Sequence, residues 1–181
     1  MKKSIIAVAG IALILTVALA ILYQNTKREW ILTIAITSGT IAYHFCIRLF
    51  IGALFNAVMR NRADYSKRRY QLRRWEERLY KAIRVKQWKR KIPTYDSKLF
   101  DPSKHTWSEI AQAMCQAELV HETIIIASFV PIIASLWFGA MPVFIITSVA
   151  AAAIDLIFVI IQRYNRPRVV KMIERDKMLN R

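Results

Sequence analysis

Cysteine, glycine and proline are scarce in this chain of 181 residues, and each shortage argues against a class of protein. The only two cysteines, Cys46 and Cys115, lie far apart and outside any Cys-x-x-Cys motif, which argues against a disulfide framework and a zinc ribbon. Four glycines and five prolines leave no low-complexity linker, and no internal repeat is present. The length and this composition predict one domain over residues 1–181.

Catalytic motifs of fixed spacing are also missing. The chain has no Gly-x-Ser-x-Gly, no phosphate-binding loop and no Gly-x-Gly-x-x-Gly. The His-x-x-x-x-Asp pattern of glycerolipid acyltransferases is absent too, because Leu49, Ile110 and Ile126 stand five residues after the three histidines. Any chemistry must therefore come from a less familiar set of side chains.

Acidic residues are few, with 12 Asp and Glu against 28 Lys and Arg, so the formal net charge is +16. The hydrophobic fraction is nevertheless 55% and the mean hydropathy +0.26. Apolar runs separated by basic segments are typical of a polytopic membrane protein. The predicted fold class is an all-α membrane protein with four transmembrane helices and a basic amphipathic helix at the cytoplasmic interface.

The apolar runs give the predicted helix bounds. The first run could also be a signal peptide, with Ala18-Leu19-Ala20 as a cleavage site, but its length of about 20 residues favours a retained helix. Pro131 is expected to kink the third helix, and Pro167 to end helical structure after the fourth. The predicted segments are transmembrane helices 4–23, 30–58, 119–138 and 141–162, a basic segment 59–118 and a tail 163–181.

The basic residues set the predicted orientation. With four helices, the N-terminus, the basic segment and the tail lie on one side of the membrane, and only Lys27, Arg28 and Arg48 fall outside these segments. Cytoplasmic loops carry the excess of Lys and Arg. We therefore expect both termini in the cytoplasm and any chemistry at the cytoplasmic leaflet.

Within the basic segment, apolar residues recur at helical spacing. Arginines and lysines surround them, which predicts an amphipathic helix lying on anionic phospholipid headgroups. Nucleic acid is not an expected partner, because the segment is tethered between membrane helices. The apolar positions are Leu72, Trp75, Leu79, Ala82 and Ile83.

His44, Arg48 and Asp155 fall well inside the predicted membrane helices. His44 and Arg48 are four residues apart and share a helix face. Counted from the cytoplasmic helix ends, Arg48 and Asp155 lie at similar depths, so we expect them to pair, directly or through His44 or water. Intramembrane charges are often functional, and both a ligand or headgroup contact and a structural ion pair remain open here.

A carboxylate–imidazole constellation opens the third membrane helix. Glu118, His121 and Glu122 share one helix face. A carboxylate can orient an imidazole, which then takes a proton from an attacking hydroxyl. Glu-x-x-His is also a metal-ligand spacing in helical bundles, although no second copy occurs. Ordinary interfacial polar residues would show the same pattern, and Cys115 as an acyl-thioester nucleophile is a less favoured hypothesis.

A polar block follows the last apolar run, where two lysines would be enough to stop a membrane helix. Arginine and asparagine form directed hydrogen bonds to phosphate or carboxylate groups. The block is either an interfacial anchor or a site, and its expected depth, shared with Glu118 and His121, favours a site. The polar side chains predicted at this level are Trp88, Lys89, Gln162, Arg163, Asn165, Arg166 and Arg168.

Three stretches together resemble a known family. They are Ile161-Gln162-Arg163-Tyr164-Asn165-Arg166-Pro167-Arg168, Trp88-Lys89-Arg90-Lys91-Ile92 and Ala117-Glu118-Leu119-Val120-His121. The chain resembles the glycosyl-4,4'-diaponeurosporenoate acyltransferases, small bacterial membrane enzymes of carotenoid biosynthesis. The resemblance implies transfer of a fatty acyl group to a sugar hydroxyl of a membrane glycolipid in the bacterial cell membrane. Glu122 stands where that family has an aromatic residue, so the acceptor need not be a carotenoid.

These observations lead to one functional hypothesis with two alternatives. His121, oriented by Glu118, is the expected general base, while Arg163, Arg166 and Arg168 bind phosphates of an acyl-CoA or phospholipid donor. The alternatives are a non-catalytic lipid-binding or accessory subunit and a metal-assisted lipid enzyme; no resident cofactor is expected. Gln162 and Asn165 are expected to hydrogen-bond the sugar or the developing oxyanion. The remaining candidate substrate contacts are Trp88, Lys89, His44, Arg48, Glu122 and Asp155.

Overall fold

A computed structural model describes residues 2–92 and 97–179 of the chain, without the side chains of Lys2, Ser97 and Lys98. All regular secondary structure in this described part is helical, as the sequence predicts. Three 3₁₀ turns, Arg68–Tyr70, Lys89–Lys91 and Ser97–Phe100, lie between the helices. The helices are α1 (Lys2–Thr26), α2 (Glu29–Met59), α3 (Arg74–Ala82), α4 (Val85–Trp88), α5 (Trp107–Ala127), α6 (Pro131–Phe138) and α7 (Met141–Leu179).

Four segments of the described chain are long and apolar enough to cross a membrane. They are Lys3–Thr26, Glu29–Met59, Trp107–Phe138 and Met141–Leu179. Large apolar side chains stay exposed along them, including Ile14 at 71% and Leu136 at 75%. Side chains of this kind are stable against lipid and costly against water. The prediction of four helices that are long and apolar enough to cross a membrane is therefore confirmed for the described part of the chain.

The chain divides into two compact units. Lys2–Ala53 and Thr123–Asp155 form one of them, called the apolar unit below. The other contains Leu54–Glu122 and Leu156–Arg181 and is called the basic unit. Helices α2, α5 and α7 each contribute residues to both units.

Close helix packing in the apolar unit begins between α1 and α2. The Thr16 hydroxyl donates to Ser38 Oγ at 3.0 Å. A Cβ atom added at Gly39 would lie 3.2 Å from the Thr16 methyl carbon, so even an alanine there would require a shift of a few tenths of an ångström. Small and hydroxyl-bearing residues therefore join these two helices, as is usual between membrane helices.

The third membrane-capable segment is interrupted just before Pro131, the residue at which the sequence predicts a kink. Helix α5 ends at Ala127, and Pro131 begins α6 after three residues of turn. Proline has no N–H to donate to the carbonyl four residues earlier. The Tyr43 hydroxyl donates to that Ala127 carbonyl oxygen at 2.9 Å, alongside the N–H of Val130 at 3.1 Å. A side chain of α2 therefore gives a second hydrogen bond to a carbonyl that residue 131, as a proline, cannot bond.

Two helix bounds differ from the prediction. The expectation that Pro167 ends helical structure is wrong, because α7 continues through Pro167 to Leu179. Proline inside a helix costs roughly 3 kcal/mol, and the ion pairs of Arg163 and Arg166 hold the helix on its N-terminal side. The apolar positions of the predicted amphipathic helix run from Leu72 to Ile83, whereas α3 spans Arg74–Ala82 and Arg84 adopts a left-handed conformation (φ 53°) before α4.

Helix α5 begins with a capping box formed by Thr106 and Glu109. Thr106 Oγ1 accepts the N–H of Glu109 at 3.3 Å, and the Glu109 carboxylate accepts the N–H of Thr106 at 2.8 Å. These reciprocal bonds satisfy two backbone donors at the helix start. They place α5 so that its first turns lie in the basic unit.

Candidate functional site

Arg163 of α7 is the most highly connected side chain of the basic unit. Its Nε and Nη2 bond the two carboxylate oxygens of Glu76 at 2.5 and 2.9 Å. Its Nη1 donates to Glu118 Oε1 at 2.5 Å and to the carbonyl of Arg69 at 3.0 Å, and Nη2 also reaches the carbonyl of Gln71 at 3.3 Å. One guanidinium thus joins α7 to α3, to α5 and to the turn that precedes α3.

Arg166 lies one turn further along α7 and is almost fully buried, at 1% exposed. Its Nη1 donates to the carbonyl of Tyr70 at 2.8 Å, and its Nη2 to Glu118 Oε2 and to the carbonyl of Met114. The guanidinium carbon also lies 5.1 Å from the centre of the Tyr70 ring. Glu118, itself 0% exposed, therefore binds a different arginine with each oxygen.

Glu76 is the carboxylate that connects α3 to this network. It is 4% exposed and lies one helical turn before the equally buried Tyr80. Burial would raise the pKa of Glu76, but hydrogen bonds from Arg163 and from the backbone N–H of Arg73 outweigh it and hold the pKa below the ordinary value of 4.5. The carboxylate is thus kept ionised for its pairing with Arg163.

A second group of polar residues surrounds the ring of Tyr164. Lys89 Nζ lies 4.8 Å and the guanidinium carbon of Arg168 4.7 Å from the ring centre. Lys89 also donates to the side-chain oxygen of Asn165, and Arg168 donates to the Tyr164 hydroxyl at 2.9 Å. Two cations on one aromatic ring form a compact positive group, and Arg168 is exposed to solvent.

The surroundings of Lys89 disfavour the charged form of its side chain. Partial burial, followed by the neighbouring positive charges of Arg168 and Arg90, lowers the pKa of its ammonium group. An anion placed between Lys89 and Arg168 would relieve that repulsion. The Tyr164 group, defined as Lys89, Tyr164, Asn165 and Arg168, therefore has the electrostatic character of an anion site.

His121 is half-buried in the basic unit and stacks on the ring of Phe158. The two ring centres are 4.7 Å apart and the planes differ by 12°. Both oxygens of Glu118 bond arginines, so the expected orientation of His121 by Glu118 stays a prediction. Glu122 accepts a hydrogen bond from Arg69 at 2.7 Å, in a partly exposed ion pair.

Of the remaining predicted site residues, Trp88 and Gln162 lie in the basic unit, and Arg48 and Asp155 lie in the apolar unit. Trp88 donates its indole N–H to the carbonyl of Ile83 at 3.0 Å, which ties α4 to the end of α3. Gln162 is buried on α7, at 9% exposed. In the apolar unit, the predicted pairing of Arg48 with Asp155 is confirmed: Nε and Nη2 lie 3.0 and 2.5 Å from Asp155 Oδ2.

Two alternative chemistries can be compared with the geometry. Among residues 2–92 and 97–179, no three His, Cys, Asp or Glu side chains converge as a metal site would require. Cys115 of α5 is 0% exposed, so a substrate has no access to its thiol. Buried thiols of this kind usually serve packing.

Sequence reasoning missed Glu76, Tyr164 and Phe158. Glu76 is one of a few acidic residues among many basic ones, and that rarity was the available signal for a buried pair. Tyr164 lies inside the quoted polar block but carries no charge. Phe158 falls within an apolar run, and nothing in the sequence distinguishes it from its lipid-facing neighbours.

Comparison with known proteins gives one result. No curated protein and no solved structure matches the chain. A sequence model of the glycosyl-4,4'-diaponeurosporenoate acyltransferase family matches residues 66–175. That range exceeds half of the chain and includes the Arg163 network, the Tyr164 group and His121. The chain therefore belongs to the glycosyl-4,4'-diaponeurosporenoate acyltransferase family.

Proposed function

We propose that this protein transfers a fatty acyl group to a hydroxyl of a glycolipid or isoprenoid glycoside at the cytoplasmic leaflet of the bacterial cell membrane. The observation that carries the proposal is the family match over residues 66–175, because it covers the basic unit's candidate base and its candidate anion site. The four membrane-capable helices supply the setting that such lipid substrates require.

His121 is the proposed general base. Its imidazole takes the proton of the acceptor hydroxyl as the oxygen attacks the acyl carbonyl carbon. The new ester bond forms, the bond from the carbonyl carbon to the donor breaks, and the departing thiol or alcohol group receives the proton. Stacking on Phe158 fixes the plane of the imidazole, and fixed geometry lowers the barrier to proton transfer.

The Tyr164 group is the proposed contact for donor phosphates. Arg168 is exposed, and Lys89 lies beside it on the same aromatic ring. Arg163 and Arg166 were predicted to bind phosphate as well, but carboxylates already engage their guanidinium groups. We assign these two arginines as positioning residues that hold α3, α5 and α7 around the site.

The amide side chains have proposed roles near the reacting carbonyl. Asn165 accepts from Lys89 through its oxygen, so its NH₂ group is oriented as a donor. We assign that donor, together with Gln162, to the acceptor sugar or to the oxyanion that forms during transfer. The exposed apolar faces of the membrane-capable helices hold the acyl chain in the lipid phase.

Helix α3 is the proposed membrane-surface element. Trp75, Leu79 and Ile83 lie at intervals of four residues and are 58%, 43% and 40% exposed, while Glu76 and Tyr80 are buried. An exposed apolar stripe is costly in water and stable at a lipid interface. Surrounding cations complement anionic headgroups. We therefore place α3 on the cytoplasmic leaflet, next to the donor site. The exposed cations on and just after this helix are Arg74, Arg78, Lys81 and Arg84.

The test is lipid mass spectrometry on bacterial membranes that contain wild type, His121→Ala or His105→Ala at matched levels, with several acceptor glycolipids supplied. We expect a product heavier by one acyl chain with wild type and with the His105→Ala control. His121→Ala should lower its rate by about 100-fold or more, the usual contribution of a general base.

Each remaining outcome has a distinct meaning. A product that persists in His121→Ala at the wild-type rate would keep the reaction and overturn the assignment of the base. Absence of product with every acceptor, in membranes where the wild type is folded, would favour a non-catalytic lipid-binding or accessory role.

A further inference from the structure

His44 of α2 is a buried polar side chain without a partner. It is 4% exposed, and neither ring nitrogen has a hydrogen bond to any described residue. A neutral imidazole carries one N–H donor and one nitrogen acceptor, so two hydrogen bonds are missing. Buried polar groups without hydrogen bonds are unfavourable and uncommon, so each one calls for an explanation, such as a bound water, ion or ligand.

Ser148 of α7 has the same property within the same unit. It is 0% exposed, and its hydroxyl has no hydrogen bond to the described part of the chain. Serines inside helices ordinarily donate to a backbone carbonyl of the preceding turn. Ser38, Ser128 and Ser135 do so at 3.0, 2.8 and 2.6 Å, whereas Ser148 does not.

The register of α2 and α7 puts these two residues on the same side of the Arg48–Asp155 pair. Arg48 donates to the carbonyl of Ala151 at 3.2 Å and pairs with Asp155. The second and fourth spans of a four-span chain cross the membrane in the same direction. One turn back from Arg48 is His44, and Ser148 lies almost one turn before Ala151, on the helix face of Asp155. The two unpartnered groups therefore lie on the same side of the ion pair.

The local charge decides the chemistry of the ligand. Asp155 neutralises Arg48, so this part of the unit offers no net positive charge to a phosphate or carboxylate. His44 and Ser148 need a partner that both donates and accepts, and a hydroxyl group does both. We propose that His44 and Ser148 form a binding site for the hydroxyl group of an uncharged ligand, supplied by a long-chain alcohol or by water.

This site is separate from the acyl-transfer site of the basic unit and does not depend on the proposed function. Nitrogen NMR on full-length protein in lipid vesicles tests it, because the chain has only three histidines. The ring nitrogens of His44 are identified as the signals lost in His44→Phe. The probes are 1-hexadecanol and its methyl ether, which cannot donate a hydrogen bond, together with magnetisation transfer from water.

If a lipid alcohol is the ligand, 1-hexadecanol shifts the His44 signals, the ether does not, and Ser148→Ala raises the alcohol concentration needed by roughly three- to tenfold. If water is the ligand, transfer from water to the His44 ring is present and weakens in Ser148→Ala. Ser135→Ala is the control, since its hydroxyl bonds its own helix, and it should change neither result. His44 signals that respond to neither alcohol nor water would overturn the proposal.

Discussion

Arg163 and Glu76 form a two-point ion pair between residues 87 positions apart. The paired distances are 2.5 Å and 2.9 Å, and the side chains are 12% and 5% exposed. The same guanidinium bonds Glu118 on α5. An arginine that the sequence presents as a ligand for phosphate is therefore the residue that holds α3, α5 and α7 together.

Removing this arginine should destabilise the basic unit. We expect Arg163→Gln to lower the free energy of unfolding by about 3–5 kcal/mol, because it leaves the buried Glu76 carboxylate without a compensating charge. Unfolding in mild detergent measures the loss. The control is Lys81→Gln, which breaks an exposed pair with Glu77 and should cost no more than about 1 kcal/mol. Equal losses of stability in the two variants would contradict the role of Arg163 in holding α3, α5 and α7 together.

The ion pair of Glu76 should make the stability of the protein depend on pH in the acidic range. Its pKa is lower in the folded protein than the ordinary 4.5, so the unfolded state binds more protons as the pH falls. The stabilisation by Glu76 is complete above about pH 4.5 and is lost as the pH falls through the folded-state pKa. We expect the difference in melting temperature between wild type and Glu76→Gln to be largest at neutral pH and to shrink below that point. A difference in melting temperature that grows as the pH falls would contradict the lowered pKa of Glu76.

The Arg48–Asp155 pair should show strong coupling. Either Arg48→Met or Asp155→Leu alone leaves one charge within a membrane-capable helix, at a cost of at least about 2.5–3.5 kcal/mol on insertion scales. The double variant leaves no charge and should regain most of the lost stability. Detergent unfolding of all four proteins gives the coupling energy directly. Additive losses in the double variant would mean that the two charges act separately.

The hydrogen bond of the Tyr43 hydroxyl should stabilise the protein more when residue 131 is a proline. Tyr43→Phe removes the hydrogen bond to the Ala127 carbonyl and should cost roughly 0.5–1.5 kcal/mol. In a Pro131→Ala background the new N–H can bond the same carbonyl, so the Tyr43→Phe substitution should cost less there. Unfolding of the single and double variants compares the two costs, and an unchanged cost would refute the link between hydroxyl and proline.

Helix α3 should insert its apolar stripe into anionic lipid. Spin labels at Trp75, Leu79 or Ile83, each in a Cys46→Ser, Cys115→Ala background, report contact with lipid-soluble oxygen against a water-soluble nickel complex. In nanodiscs containing phosphatidylglycerol we expect high oxygen contact at these positions and low contact at the Glu77 control position. The contrast should weaken in pure phosphatidylcholine. Equal nickel contact at all four positions would place the stripe in water.

Local patterns were enough to predict the helices that are long and apolar enough to cross a membrane. Runs of about 20 apolar residues favour membrane helices, because a single segment in hydrocarbon can hydrogen-bond all its backbone N–H and C=O groups only as a helix. Pro131 interrupted the third segment as expected, since the missing N–H acts within one turn. The pairing of Arg48 with Asp155 could be predicted from their similar depth along the helices. A lone charge at that depth is costly, and few residues of opposite charge were available to either of them.

The partners of the terminal arginines needed the tertiary structure. A guanidinium binds phosphate and carboxylate with the same geometry, so residue type could not distinguish a lipid donor from Glu76 or Glu118. The same contacts explain why α7 continues through Pro167: ion pairs at Arg163 and Arg166 outweigh a local cost that the sequence correctly signals. Sequence by itself determined which segments are helical and apolar, because those preferences act over a few residues. Which carboxylate meets which arginine was decided by packing between segments nearly 90 positions apart.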